Sequence, residues 1–224
     1  PCPLGLRSPF YLQGLTKNIK WYNNAVDYKY YIGIDEVGRG PIAGPVTLCA
    51  VISFIGRTPE EFKNIKDSKQ LTEKKREEWF KIMKEAKKRG DIDFAIFSGT
   101  NDSIDKIGIV RTMNACIKKC LDKFYLEAKL PSRGLKEDDT YVLLDGSLHA
   151  PGNFKFQETI IKGDEKEILI GMASVAGKVS RDWYMVEMAK KFPEYGFDKH
   201  KGYGTKSHYE AIKKHGPSTL HRKS

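Results

Sequence analysis

The sequence predicts an α/β domain with an antiparallel start and a small helical C-terminal part. Three observations carry this. Short apolar or alternating runs, bounded by Gly, Pro and Asp, read as strands. Longer segments repeat apolar residues at the three- and four-residue spacing of a helix face. The two kinds of segment interleave along the chain instead of segregating. The 224 residues, 40% of them hydrophobic, are enough for one sizeable core.

The elements follow in order. Residues 1–29 have no clear period and read as an N-terminal extension. Tyr30 to Asp35 reads as a strand, and a Gly/Pro loop leads to a second one, "VTLCAVISF", Val46 to Phe54. The short connection suits an antiparallel hairpin. In "DSKQLTEKKREEWFKIMKEAKKRG", Thr72 is a candidate N-cap, Trp79, Ile82, Met83 and Ala86 form an apolar stripe, and Gly90 is the stop. "DIDFAIFSG" alternates as a third strand. Ile104, Ile107, Met113, Ile117, Leu121 and Phe124 then mark one long helix between Asn101 and Lys129.

"TYVLLDG" reads as a buried strand ending at Asp145, and "FKFQETIIKGD" as another ending at Asp164. "ILIGMASVAGKVSRDWYMVEMAKKF" is mostly helical, with small residues that permit close packing. Residues 193–224 form a basic, aromatic loop and a short helix, so the organisation predicted is 1–29, 30–192 and 193–224.

Charge and cysteine usage narrow the function classes. Thirty-nine Lys and Arg against 29 Asp and Glu give a formal net charge of +10 and a pI near 9.3. That balance favours a polyanionic partner, nucleic acid or an anionic membrane surface. The longest largely apolar run, Val46 to Ile55, falls far short of the ~20 residues a spanning helix needs. The opening "PCPLGLRSPF" lacks the apolar core of a secretory signal. Cys2, Cys49, Cys116 and Cys120 form no CxxC pattern, and no histidine lies beside the helical pair Cys116 and Cys120. Reduced core thiols in a cytoplasmic protein are expected.

The chemistry-bearing residues are acids. Asp35, Glu36, Asp145 and Asp164 each close a strand-like run and meet glycine directly or nearby. Strand ends in an open α/β sheet can converge on one cleft. Crowded carboxylates repel and want a counter-charge, best met by an oxygen-liganded divalent cation, Mg²⁺ or Mn²⁺. Two such ions, about 4 Å apart, would stabilise the attacking and leaving oxygens of an in-line phosphoryl displacement. A single strand-end Asp-Gly is also ordinary turn chemistry. Neighbouring strand residues point to opposite faces, so Asp35 and Glu36 need a local distortion to reach one metal.

Seven stretches, in this order, resemble ribonuclease HII: "GIDEVGRGPIAGPV", "DSKQL", "VLLDG", "IIKGD", "ASVAGKVSRD", "FPEYGFDKHKGYGT" and "HGPSTLHRKS". The resemblance runs from about Tyr30 onward. It implies a ribonuclease H-like mixed sheet flanked by helices, with Asp35, Glu36, Asp145 and Asp164 as catalytic, metal-binding carboxylates. It implies an endoribonuclease that uses Mg²⁺ or Mn²⁺, two ions during catalysis. The expected substrates are RNA–DNA hybrids and duplex DNA with embedded ribonucleotides, cut on the 5′ side to leave 3′-hydroxyl and 5′-phosphate ends. A monomer acting in removal of ribonucleotides and RNA primers is expected.

The same resemblance assigns Gly38, Arg39 and Gly40 to reading the 2′-hydroxyl that separates RNA from DNA. Tyr203 stacks on the sugar of the next nucleotide, and Lys69 and Lys178 contact phosphates. Ser68 either assists a phosphate or begins the turn before Thr72. Asp182 is expected to cap or pair rather than bind metal, and His200, His208, His215 and His221 to serve surface or packing roles. Two departures stand out: residues 1–29 have no counterpart, and family members usually continue past Arg222-Lys223-Ser224. A non-catalytic hybrid-binding module and another two-metal phosphodiesterase are the competing readings. The first has no need of four acids; the second usually spaces its first two acids apart.

Overall fold

A computed structural model describes residues 28–54, 60–65, 70–126 and 135–224. All but the end of the predicted N-terminal extension therefore lies outside the described residues, as do Ser68 and Lys69. Five strands form one sheet: β1 (Tyr30–Val37), β2 (Val46–Phe54), β3 (Ile92–Gly99), β4 (Thr140–Asp145) and β5 (Gln157–Ile160). Their order is β3-β2-β1-β4-β5. The β1–β2 and β2–β3 pairs are antiparallel, whereas β1–β4 and β4–β5 are parallel. The antiparallel start and the mixed sheet agree with the sequence reading.

Alternation divides the sheet into two buried faces. Ile32, Ile34, Leu48, Ala50, Ile52, Val142 and Leu144 lie on one. They pack against α2 (Asn101–Ile107) and α3 (Ile109–Leu126), through Ile104, Met113, Ile117, Leu121 and Phe124. Cys49 and Val51 lie on the other face, under α1 (Glu73–Arg89) and the 24-residue α5 (Ile168–Lys191). Cys49, Cys116 and Cys120 are free and buried, as expected of core thiols. The small residues of α5 allow it to lie directly on β1. A Cβ on Gly33 would stand 2.3 Å from the Leu169 backbone carbon, so only glycine fits there.

The predicted caps of α1 are present: the Thr72 hydroxyl accepts the Lys75 N–H, and Gly90 is left-handed at φ 78°. Three expectations need correction. The long helix from Asn101 is two helices, because Gly108 (φ 82°, ψ 155°) breaks the backbone between them. Asp164 does not end a strand. Left-handed Lys162 turns the chain out of β5, and Asp164 lies in the short helix α4, Gly163–Lys166. Third, the distortion expected at Asp35-Glu36 is absent, since the β1–β2 ladder runs unbroken through Asp35↔Cys49, Glu36↔Leu48 and Val37↔Thr47.

The last part of the chain contains α6 (Phe197–His200) and α7 (Lys206–His215). It builds a third apolar cluster in which Tyr195, Phe197 and Leu220 pack on Ala43 and on Met185 of α5. Among the described residues no helix is long and apolar enough to cross a bilayer.

Candidate active site

Strand β1 is where the sheet changes direction of growth: β2 and β3 extend to one side, β4 and β5 to the other. A crevice at such a switch point, outside the carboxyl ends of parallel strands, is the favoured ligand position in open sheets. The last paired residues of β1 and β4 are Ile34 and Leu144. One residue further, Asp35 and Asp145 follow on the face covered by α5. Asp35 is 7% exposed. Burial first, and then the neighbouring Asp145, push its carboxyl well above the usual carboxylate range. A hydrogen bond from Ser174 of α5 and the Glu36 N–H, 2.7 Å from Oδ1, work against that rise. Asp145 Oδ1 accepts the Gly163 N–H at 2.7 Å.

Glu36 follows Asp35 on a regular strand and so projects to the opposite face. Its carboxylate faces Arg39 Nη1 at 3.6 Å and still adds to the negative field on Asp35. Asp164 is buried in the first turn of α4, next to the Gly163 amide that holds Asp145. Among the described residues no three His, Cys, Asp or Glu side chains stand close enough to form a metal cage as they lie. The donor set nonetheless suits a hard divalent cation. It is made only of carboxylates, and the mutual repulsion of Asp35 and Asp145 is what such a cation would relieve.

Lys178 donates to Asp182 at 2.7 Å, and Arg76 approaches the same carboxylate at 3.8 Å. Asp182 is thus a buried ion-pair centre, in line with the pairing role expected of it. Arg39 is exposed and reaches Ser147 Oγ at 3.4 Å. A Cβ on Gly40 would lie 3.9 Å from Tyr203 Cε1, which puts the glycine-flanked loop against the tyrosine ring. Tyr203 is 43% exposed. Gly38 is glycine for a different reason. Its φ is 85°, and the space of a Cβ is filled by Arg181 Nε at 2.1 Å.

Arg181 and Arg222 went unnoticed as site residues in the sequence. Arg181 is fully buried and donates to the carbonyls of Pro45, Lys201 and Ala43. Arg222 donates to those of Gly38, Arg39 and Gly44. The only available signal was that both sit within quoted motifs, "SRD" and "HRKS", of an otherwise solvated basic chain.

The fold decides the class first. The ribonuclease HII of the Archaeoglobus fulgidus PCNA complex superposes with a TM-score of 0.63 at 22% identity, covering 86% of this chain and 93% of that one. A Bst ribonuclease HIII solved with Mn²⁺ superposes at 0.59 with 15% identity, covering 86% and 64%. This is a ribonuclease H-like fold. Sequence narrows it further. A family model described as Ribonuclease HII matches residues 32–224. A protein named ribonuclease HII in Clostridioides difficile is 41% identical over 197 residues, or 88% of this chain and 70% of that protein. The chain belongs to the ribonuclease HII family and is a ribonuclease H enzyme.

Proposed function

We propose that the protein is a divalent-metal-dependent endoribonuclease. It cleaves the RNA strand of RNA–DNA hybrids and the 5′ side of a ribonucleotide embedded in duplex DNA, leaving 3′-hydroxyl and 5′-phosphate ends. The observation that carries this reading is the placement of Asp35 beside Asp145 at the switch point of the sheet. Glu36 and Asp164 complete the proposed carboxylate set. Mg²⁺ or Mn²⁺, held by Asp35, Asp145 and Asp164, with Glu36 joining them only if the end of β1 turns on metal binding, would supply Lewis-acid stabilisation of charge on the phosphoryl oxygens. Manganese in the ribonuclease HIII neighbour supports a cation of this class.

The chain's own residues bind and orient. Asp35 is held by the Glu36 amide and Ser174, and Asp145 by the Gly163 amide, so both carboxylates are fixed before substrate arrives. Gly38, Arg39 and Gly40 present a loop edge to the ribose 2′-hydroxyl, while Tyr203 packs its ring on the adjacent sugar. Lys178, oriented by Asp182, contacts a phosphate, and Ser68 and Lys69 do the same from the "DSKQL" segment.

The test is incubation with a duplex carrying one ribonucleotide, with Mg²⁺ and with chelator. Cleavage 5′ to the ribonucleotide only with metal is expected. Metal-independent binding without cleavage would leave a hybrid-binding module instead, and equal cutting of all-DNA duplex would point to another phosphodiesterase.

A further inference from the structure

Two recognition elements lie far apart in sequence, the Gly38–Pro45 loop and the Tyr203 loop. One short segment, Thr219–Arg222, touches both. Ala43 and His221 form an isolated antiparallel bridge, flanked by Gly44 N–H to Leu220 O at 2.9 Å and Arg222 N–H to Ile42 O at 2.9 Å. From there the Arg222 guanidinium forks onto three carbonyls of the same loop: Gly38 at 2.5 Å, Arg39 at 2.9 Å and Gly44 at 3.0 Å. The arginine is kept there against electrostatic cost, since burial and the nearby Arg181 lower its pKa to about 10.

His221 points the other way. Its Nδ1 accepts the Ser218 N–H at 2.8 Å, so the ring proton sits on Nε2. That Nε2–H donates to His208 Nε2 at 3.0 Å. His208 must then carry its proton on Nδ1, which donates to the Tyr203 carbonyl at 2.8 Å. Each donor meets an acceptor, and both rings are buried and neutral. His200 stacks on His208, and Tyr195 and Phe197 close the remaining sides.

We infer that His221 and Arg222 are positioning residues that lock the two walls of the substrate groove in register: Arg222 through the carbonyls of Gly38, Arg39 and Gly44, His221 through His208 and the backbone of Tyr203. The inference rests on the proposed substrate roles of those two walls. Neither residue touches substrate. A preset groove loses less freedom on binding than two loops ordered separately.

The test is single-turnover cleavage of a one-ribonucleotide duplex, read as half-saturation and maximal rate, with a melting curve for each variant. His221→Leu removes the donor to His208 and should raise half-saturation on the order of tenfold, whereas His221→Gln keeps a donor and should restore it. In the Tyr203→Ala background, His221→Leu should add nothing, because residues acting through one another are not additive. Arg222→Lys keeps the charge but loses the fork, and should be as poor as Arg222→Gln in discriminating ribonucleotide-containing from all-DNA duplex. Full activity of Arg222→Lys would make Arg222 a phosphate contact and overturn its positioning role. Additive losses for His221→Leu and Tyr203→Ala would overturn the relay. Equal half-saturation for wild type and Tyr203→Ala is a separate failure: it would remove the proposed substrate role of Tyr203, and the relay with it. If His221→Leu melts below the assay temperature, His221→Gln at wild-type half-saturation is expected, and a loss there overturns the relay.

Discussion

Asp35 and Asp145 stand side by side on the α5 face of the sheet, one residue past the last paired positions of two parallel strands. Their closeness raises the Asp35 pKa, after burial, and concentrates negative charge where the pairing of β1 with β4 ends.

Replacing either acid with its amide should therefore separate chemistry from folding. In Asp35→Asn or Asp145→Asn the acceptor oxygen for the Glu36 or Gly163 amide survives. Single-turnover cleavage should fall by about a thousandfold or more, equivalent to about 4 kcal/mol of barrier. Metal-free melting temperature should hold or rise, because like-charge repulsion is relieved. Near wild-type cleavage by Asp145→Asn under saturating Mg²⁺ would remove it from the site.

Gly33→Ala should damage the fold. The added methyl would meet the Leu169 backbone at 2.3 Å, and neither β1 nor α5 can yield without disturbing the sheet. A loss of about 3 kcal/mol is expected for such overpacking, a drop of roughly 6–12 °C in Tm for a chain of this size. Gly152→Ala, with nothing within 4 Å of the new methyl, is the control.

Acid should destabilise the protein through the histidine pair. Burial, the largest cause, lowers the pKa of both His208 and His221 below the ordinary value of 6.5. An unfolded chain therefore binds protons that the folded one refuses. The contribution to stability is fully present above about pH 6.5 and is lost as pH falls through the depressed folded values. Melting temperatures measured from pH 8 down to pH 5 should decline, and His221→Gln should flatten the slope. An identical slope in that variant would assign the decline elsewhere.

Binding should weaken steeply with salt. With the proposed duplex substrate, a chain of net charge +10 is expected to bind largely through phosphates, and log K falls by about 0.9 per contacted phosphate for each decade of salt on B-form DNA. A flat response between 50 and 200 mM salt, about a fourfold range, would place the positive charge away from the groove.

For Tyr203, the ring and not the hydroxyl is expected to matter. Tyr203→Phe should keep most activity, and Tyr203→Ala should lose on the order of 1–3 kcal/mol, taking aromatic stacking as the guide. Rates for Phe as poor as those for Ala would shift the role to the phenol oxygen.

Much of this was legible in the sequence. The strands and α1 announce themselves through period, caps and turn residues, and Thr72 and Gly90 act as the reading required. The helix break at Gly108 was missed, because Ile109 and Val110 carry the apolar run straight across it and hide the positive-φ glycine between α2 and α3. The position of Asp164 was not legible either, because a left-handed lysine at 162 carries no compositional signal. Nor does local pattern show that Gly38 is glycine because Arg181 fills its side-chain space from 143 positions away (181 − 38). Long-range arginine-to-carbonyl contacts have no period. Family motifs point to such residues without saying what they hold.

The central place of β1 also bears on how the chain is made. On the ribosome, β1, β2 and β3 emerge as a consecutive antiparallel meander and can pair at once. The partner for the other edge of β1 arrives about 110 positions later, the separation of the paired Lys29 and Asp139 at the start of the β1–β4 contact. At roughly 5–20 residues per second, that edge stays open for about 5–20 s. It offers "YYIGI" to any passing strand during that interval. Asp35 gains its partner acid only when that edge closes, so the two carboxylates proposed for the site cannot meet until β4 has been synthesised and has paired with β1.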